Sequence, residues 1–166
     1  MEHENCVGES SEWYTPPEMF TALGCEFDLD PCSPPGGGGY VPAREKICLP
    51  DDGLAAGWGG QFAWMNPPFG GRNGHVPWLR KFFKNGNGIG LARAYTSAGW
   101  FHDWMPRADV LVFPRGKTKF VRQDGTIGRA PGAGIVLFGC GAQALQVLST
   151  CRLGMCVMQI DKGVAG

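Results

Sequence analysis

The sequence lacks what a metal centre or a disulfide scaffold would need. Its 7 cysteines, at positions 6, 25, 32, 48, 140, 151 and 156, include no Cys-x-x-Cys pair, and His3, His75 and His102 lie far from any close pair of cysteines. Structural zinc sites depend on such ligand spacing, so no metal is expected. An odd cysteine count without a secretory leader argues against a disulfide framework and predicts a reduced, cytoplasmic protein with mostly buried thiols. No apolar run approaches the length of a membrane span, and the polar opening "MEHENCVGESSE" does not have the character of a signal peptide. Net charge is missing too: 15 basic residues balance 15 acidic ones. Any nucleic-acid partner must therefore be held by a local basic patch.

What remains is a chain of 166 residues, 43% apolar, enough for one domain with one substantial core. Residues 1–12 read as a loose tail, and 13–166 as a single domain. "YTPPEMFTALG" predicts a short helix with Thr15 as N-cap, Pro16 at its first position, Glu18 completing a Thr-x-x-Glu capping box, and Gly24 as terminator. "FDLDP" reads as an edge or partly covered strand and "ICLP" as a second short one. "CSPPGGGGYVPAR" is a loop, and "DDGLAAGW" one turn of helix. "QFAWM" is a buried strand; Pro77 opens the helix "WLRKFF". "GIGLARAYTSAGWFHDWM" reads as strand, turn and helix, capped by Thr96 or Ser97. "ADVLVF", "GAGIVLFG" and "GMCVMQI" are strands, with "AQALQVL" as a helix before the last. Alternating strands and helices of this kind predict an α/β fold: a mostly parallel sheet, helices on both faces, and an antiparallel hairpin at one edge. Ligands bind such sheets at the carboxyl ends of the strands, where Asp30 and Asn66 both fall.

The apolar strand "QFAWM" runs directly into "NPPF". Asparagine and proline are common turn residues and phenylalanine a common core residue, so this tetrapeptide has a plain reading as a turn. It also has a chemical one. An exocyclic amine on a nucleobase is a poor nucleophile because its lone pair is delocalised into the ring. Two neutral acceptors, the Asn66 amide oxygen and the Pro67 carbonyl, can accept hydrogen bonds from its two N–H groups and draw the nitrogen toward tetrahedral geometry. Pro67 and Pro68 fix φ and bring no N–H donors to compete. Phe69 can stack on the base while a sulfonium methyl approaches in line.

"WYTPPEMF", "FDLDPCS", "DDGLAAGW" and "WMNPPF" occur in that order, and from about Trp13 to Phe138 the chain resembles the phage- and prophage-encoded, Dam-like DNA N6-adenine methyltransferases. The matching residues are Trp13, Thr15 and Pro16 of a Trp-x-Thr-Pro helix start; Asp30 at a strand end; Asp52, Gly53, Leu54 and Trp58; Asn66 to Phe69; and Trp100 with Phe101. "RGKTKF", Arg115 to Phe120, matches a Gly-Arg-x-x-Phe-like segment loosely. The resemblance implies a Rossmann-like methyltransferase fold, S-adenosylmethionine as cofactor, Asn66, Pro67, Pro68 and Phe69 as the catalytic set, and Thr15, Pro16, Asp30 and Asp52 around the cofactor. The family's glycine-rich cofactor signature is replaced by "PCSPPGGGG".

Each of these residues has a plainer role beside the implied one. Asp30 can bind ribose hydroxyls or the methionine ammonium, or cap a turn through its own backbone. Asp52 can accept from the cofactor's adenine amino group, or serve as an N-cap. The four glycines can admit a ligand close to the backbone or form a flexible surface loop. Residues 114–132 carry Arg115, Lys117, Lys119, Arg122 and Arg129 against one acid, Asp124, and are expected to meet the phosphates of double-stranded DNA, with Arg72 and His75 as the other candidates. Their plain reading is a solvated hairpin. "GWFHDWMP" is expected to pack in the core. The expectation is a DNA methyltransferase acting on adenine N6 of a flipped-out base, in the host cytoplasm if the gene is phage-borne. Cytosine N4, a protein glutamine amide, and an inactive DNA-binding module with the same fold remain as alternatives.

Overall fold

The computed structural model describes residues 13–68, 73–128 and 132–158; the expected tail, 1–12, lies outside them. Nine strands and four helices occur along the described chain. They are β1 (Trp13–Tyr14), α1 (Pro17–Leu23), β2 (Phe27–Asp30), β3 (Ala43–Lys46), β4 (Ala63–Met65), α2 (Val76–Asn85), β5 (Gly88–Arg93), α3 (Gly99–Trp104), β6 (Val110–Pro114), β7 (Val121–Arg122), β8 (Ile135–Cys140), α4 (Ala142–Thr150) and β9 (Gly154–Met158).

Seven of the strands form one sheet in the order β3-β2-β4-β5-β8-β6-β9. β3, β2, β4 and β5 are parallel neighbours. β8 runs antiparallel to both β5 and β6, and β9 antiparallel to β6. Five strands thus share one direction, as the alternation of elements predicts. The expected antiparallel hairpin at the edge is not formed. β8 inserts between β5 and β6, and after α4 the chain returns to add β9 outside β6. The continuous apolar run "IVLFGC" is buried throughout β8, which suits an interior strand better than an edge.

Both faces of the sheet are covered. On β4, β5, β6 and β8, side chains alternate between two cores, as the strand period of two requires. Trp64, Ile89, Leu91, Val110, Val112, Ile135 and Leu137 meet α1 and α4 through Met19, Phe20, Leu23, Ala144 and Leu148. Met65, Ala92, Leu111, Val136 and Phe138 meet α2 and α3 through Trp78, Leu79, Phe82 and Phe101. Phe101 therefore packs in the core, as expected of the "GWFHDWMP" helix.

Gly90 on β5 lies opposite Phe138 on β8, and a Cβ at position 90 would overlap that ring. Overfilling such a rigid site typically costs 1–3 kcal/mol. Gly90→Ala is expected to lower stability by about that amount, measured as a lower urea midpoint with an unchanged m-value.

Several local expectations are corrected. β2 is an interior strand, flanked by β3 and β4. β3 precedes "ICLP" rather than containing it. Helix α1 has Pro16, not Thr15, at its N-cap and no side-chain cap; Gly24 does end it, with φ 63°. Helix α3 is preceded by Ala98 and takes no cap from Thr96 or Ser97. "DDGLAAGW" does make a single turn, the Ala56 N–H donating to the Asp52 carbonyl at 2.9 Å, and Trp58 closes it through an Nε1–H bond to the Gly53 carbonyl at 2.8 Å. The Nζ of Lys81 donates to the Leu54 carbonyl at 2.6 Å and to that of Ala56, so α2 holds this turn. The six described cysteines are free thiols, but only Cys140 is buried and the others are partly exposed.

Candidate active site

Strands β2 and β4 are parallel neighbours, with Leu29 opposite Ala63, so their carboxyl ends share a rim. "FDLDP" ends there at Asp30, and "QFAWM" ends there just before Asn66. Proline stops both strands, since Pro31 and Pro67 cannot supply ladder N–H groups. The two motifs, more than thirty residues apart in sequence, are side by side in the fold.

Polar contacts connect them. The backbone N–H of Cys32 donates to Asp30 Oδ1 at 3.1 Å. The backbone of Asn66 lies close enough to the Cys32 thiol to lower its pKa. The Asn66 side chain in turn donates from Nδ2 to Thr15 Oγ1 at 3.2 Å, across 51 positions of sequence. Thr15 is buried, and Asn66 only partly so. Residues 15, 30 and 66 are therefore brought together, with Cys32 as a link that sequence reasoning missed. Nothing in the sequence marked Cys32, since a lone cysteine after a proline has no pattern of its own.

Asp30 is 2% exposed. Burial raises its pKa from the usual carboxylate range to about 6, against the opposing pull of the Cys32 N–H and the positive charge of Lys46. Lys46 is its register partner on β3, and its Nζ donates to the Gly37 carbonyl at 3.1 Å. The turn-capping role of Asp30 is thus present, yet one backbone bond is little compensation for a desolvated carboxylate. Ser33, three residues on and also buried, has an Oγ with no hydrogen-bond partner among the described residues. Desolvation, with the nearby Asp30 charge adding to it, holds the Cys32 thiol well above the ordinary range, although the Asn66 N–H lowers it.

The raised pKa of Asp30 has a consequence for stability. A carboxyl that holds its proton more tightly folded than unfolded contributes stability below about pH 4, and that contribution is lost as pH rises through about 6. Asp30→Asn keeps the acceptor for the Cys32 N–H and removes the charge. It is expected to match the wild type below about pH 4 and exceed it by up to about 3 kcal/mol above pH 6. Chemical denaturation across this range measures the difference; parallel curves would refute the buried charge.

Asp52 is exposed, and its Oδ1 accepts the Leu54 N–H at 2.8 Å, which is the cap reading. Its turn nevertheless abuts the same rim: a Cβ on Gly53 would overlap the Pro31 carbonyl oxygen. Only glycine lets the two backbones approach so closely. The glycine-rich loop is packed rather than free, since Gly38 and Gly39 lie against the Tyr14 ring and Pro34. Pro16 directly precedes α1. Pro67 is buried and Pro68 exposed, while Phe69 and Arg72 lie outside the described residues, as does Arg129.

His75 is not available on the surface for a phosphate. It is 8% exposed, packs edge-on to the Trp100 ring at 4.3 Å, and burial lowers its pKa. The position before α2 turns the imidazole inward, while its carbonyl accepts the Leu79 N–H at 3.0 Å. Arg115, Lys117, Lys119 and Arg122 are all exposed. Their segment is anchored by an unforeseen ribbon, β1 paired antiparallel with β7. Trp13 faces Arg122 across that ribbon with the guanidinium 5.5 Å from its ring, and Gly128 packs against the same indole. Asp124 is engaged within its own turn: its Oδ1 accepts from the Thr126 backbone N–H at 2.9 Å and hydroxyl at 2.6 Å. Two residues along the chain from Trp13, a span of at most ~7 Å and just past the end of β1, is Thr15. The basic segment and the Asn66 rim are thus joined through one short strand.

Among the described residues no cluster of His, Cys, Asp and Glu could hold a metal ion, and no helix is long and apolar enough to cross a membrane. No protein-family model, curated protein or solved structure matches the chain.

Proposed function

We propose that the protein is an S-adenosylmethionine-dependent DNA methyltransferase with a Rossmann-like sheet, acting on adenine N6 of a flipped-out base. The observation that carries this reading is the junction of the Asp30 and Asn66 strand ends, with Asn66 tied by its amide to Thr15. A turn does not need that tether.

The residues on the rim fit the cofactor. S-adenosylmethionine carries an ammonium and two ribose hydroxyls; Asp30 offers a poorly compensated buried carboxylate and Ser33 an unpartnered buried hydroxyl. These two would hold it, and bound there it would supply an electrophilic methyl group. Asn66, with Nδ2 engaged by Thr15, has its amide oxygen left to accept a hydrogen bond from an N–H of the target amine. The Pro67 carbonyl is the second acceptor of the motif. Drawing both protons of an aromatic amine out of plane frees its lone pair for transfer, and the two acceptors stabilise the charge that develops on nitrogen. The exposed cations from Arg115 to Arg122 are the surface for the DNA backbone.

The test is transfer of a labelled methyl group from S-adenosylmethionine to duplex DNA, with nucleoside analysis of the product. N6-methyladenosine supports the reading; N4-methylcytosine would keep the chemistry and change the base. No transfer, with DNA still bound, would leave an inactive binding module.

A further inference from the structure

We propose that Thr15 is a positioning residue that restrains rotation of the Asn66 amide at the rim, keeping it in register with the target amine; the inference rests on the methyltransferase reading. The two ends of a primary amide are nearly the same size but opposite in hydrogen bonding, and rotation about its last side-chain torsion is loosely restrained. With NH2 toward the substrate, Asn66 would oppose donor to donor. With oxygen toward it, the amide accepts. The Nδ2 to Thr15 Oγ1 bond of 3.2 Å is made in the second arrangement, and it restrains rotation of the amide away from it.

Thr15 is well placed to supply this restraint. Its side chain is 4% exposed, so water does not compete freely for the hydroxyl. Its backbone is held on both sides: β1 pairs with β7 immediately before it, and Pro16 leads into α1 immediately after. The Asn66 backbone directly follows β4, an interior strand of the sheet. The amide keeps rotation about its last side-chain torsion, and the bond to Thr15 restrains it. This role differs from the cofactor contact that the resemblance implies for Thr15, and the two separate kinetically. A cofactor contact acts on cofactor affinity; a positioning residue acts on the rate of the bound complex.

The test compares Thr15→Val, which keeps the shape and removes the acceptor, with Thr15→Ser, which keeps the acceptor. Single-turnover methylation of duplex DNA by Thr15→Val is expected to slow about 3- to 10-fold, the worth of one such hydrogen bond. The Kd for S-adenosylmethionine should be unchanged, and Thr15→Ser should recover near wild-type rate. A second readout needs no activity. The Asn66 side-chain amide resonances, assigned by their loss in Asn66→Ala, should shift and lose exchange protection in Thr15→Val but not in Thr15→Ser. Wild-type rate in Thr15→Val, or a weaker cofactor Kd with an unchanged rate, would overturn the inference, as would unmoved Asn66 resonances. Failure of the underlying reading has a different signature: no transfer by the wild type, or full transfer by Asn66→Ala.

Discussion

Asn66→Ala is expected to lower the single-turnover rate of methyl transfer by about 10²–10³, the cost of removing one pre-positioned hydrogen-bonding group from a developing charge. In the proposed mechanism the amide oxygen stabilises charge that appears on nitrogen only as the methyl arrives, so the loss should fall on kcat and leave cofactor affinity nearly intact. The fold should survive, because Asn66 lies beyond the end of β4 and is only partly buried. Asn66→Asp keeps an acceptor but has no Nδ2–H for Thr15, and is expected to retain partial activity. Single-turnover assays with the product base identified, beside calorimetry for the cofactor, separate these effects. Wild-type transfer by Asn66→Ala would reduce the motif to a turn and remove the mechanism with it.

Neutralising Lys117, Lys119 and Arg122 together should flatten the salt dependence of DNA binding by about 2.7 in the slope of log K against log salt, at about 0.9 per phosphate contact. Between about 50 and about 200 mM salt, wild-type affinity would then fall about 40-fold more than that of the variant. The premise is geometric. All three side chains are exposed, and the ion pairs among the described residues belong instead to Arg44, with Glu26 and Asp28. The nearest acid in the loop, Asp124, is bonded to Thr126, which lowers its pKa. Fluorescence anisotropy with a duplex at several salt concentrations gives the slope. An unchanged slope would place the DNA-binding surface elsewhere. Arg122 has a second role as the cation beside the Trp13 ring, so Lys117 and Lys119 changed without it provide the control for ribbon damage.

Asp30 links stability to function in the opposite sense. A carboxylate buried without full compensation strains the fold at neutral pH. If it is kept for a cationic ligand, Asp30→Asn should gain stability and lose cofactor affinity in one substitution.

Much of this molecule follows from residues read a few at a time. "IVLFGC", "VLVFP" and "GIGLAR" are strands because their apolar and small residues suit a covered sheet, and α1 ends where Gly24 allows a left-handed turn. The strand ends at Asp30 and Asn66 are visible because proline follows each and cannot continue a ladder. All of these depend on neighbours within a turn or two along the chain. Pairing partners do not. That β8 separates β5 from β6, that β2 is interior, and that β1 and β7 form a ribbon are decided by contacts distant in sequence. Strands of two residues, such as β1 and β7, are too short to show a period at all. Thr15 shows the difference most plainly. Its place before a proline-led helix made it a cap by every local rule. The tertiary structure gives its hydroxyl a partner 51 residues away, because the parallel sheet carries Asn66 to the same rim.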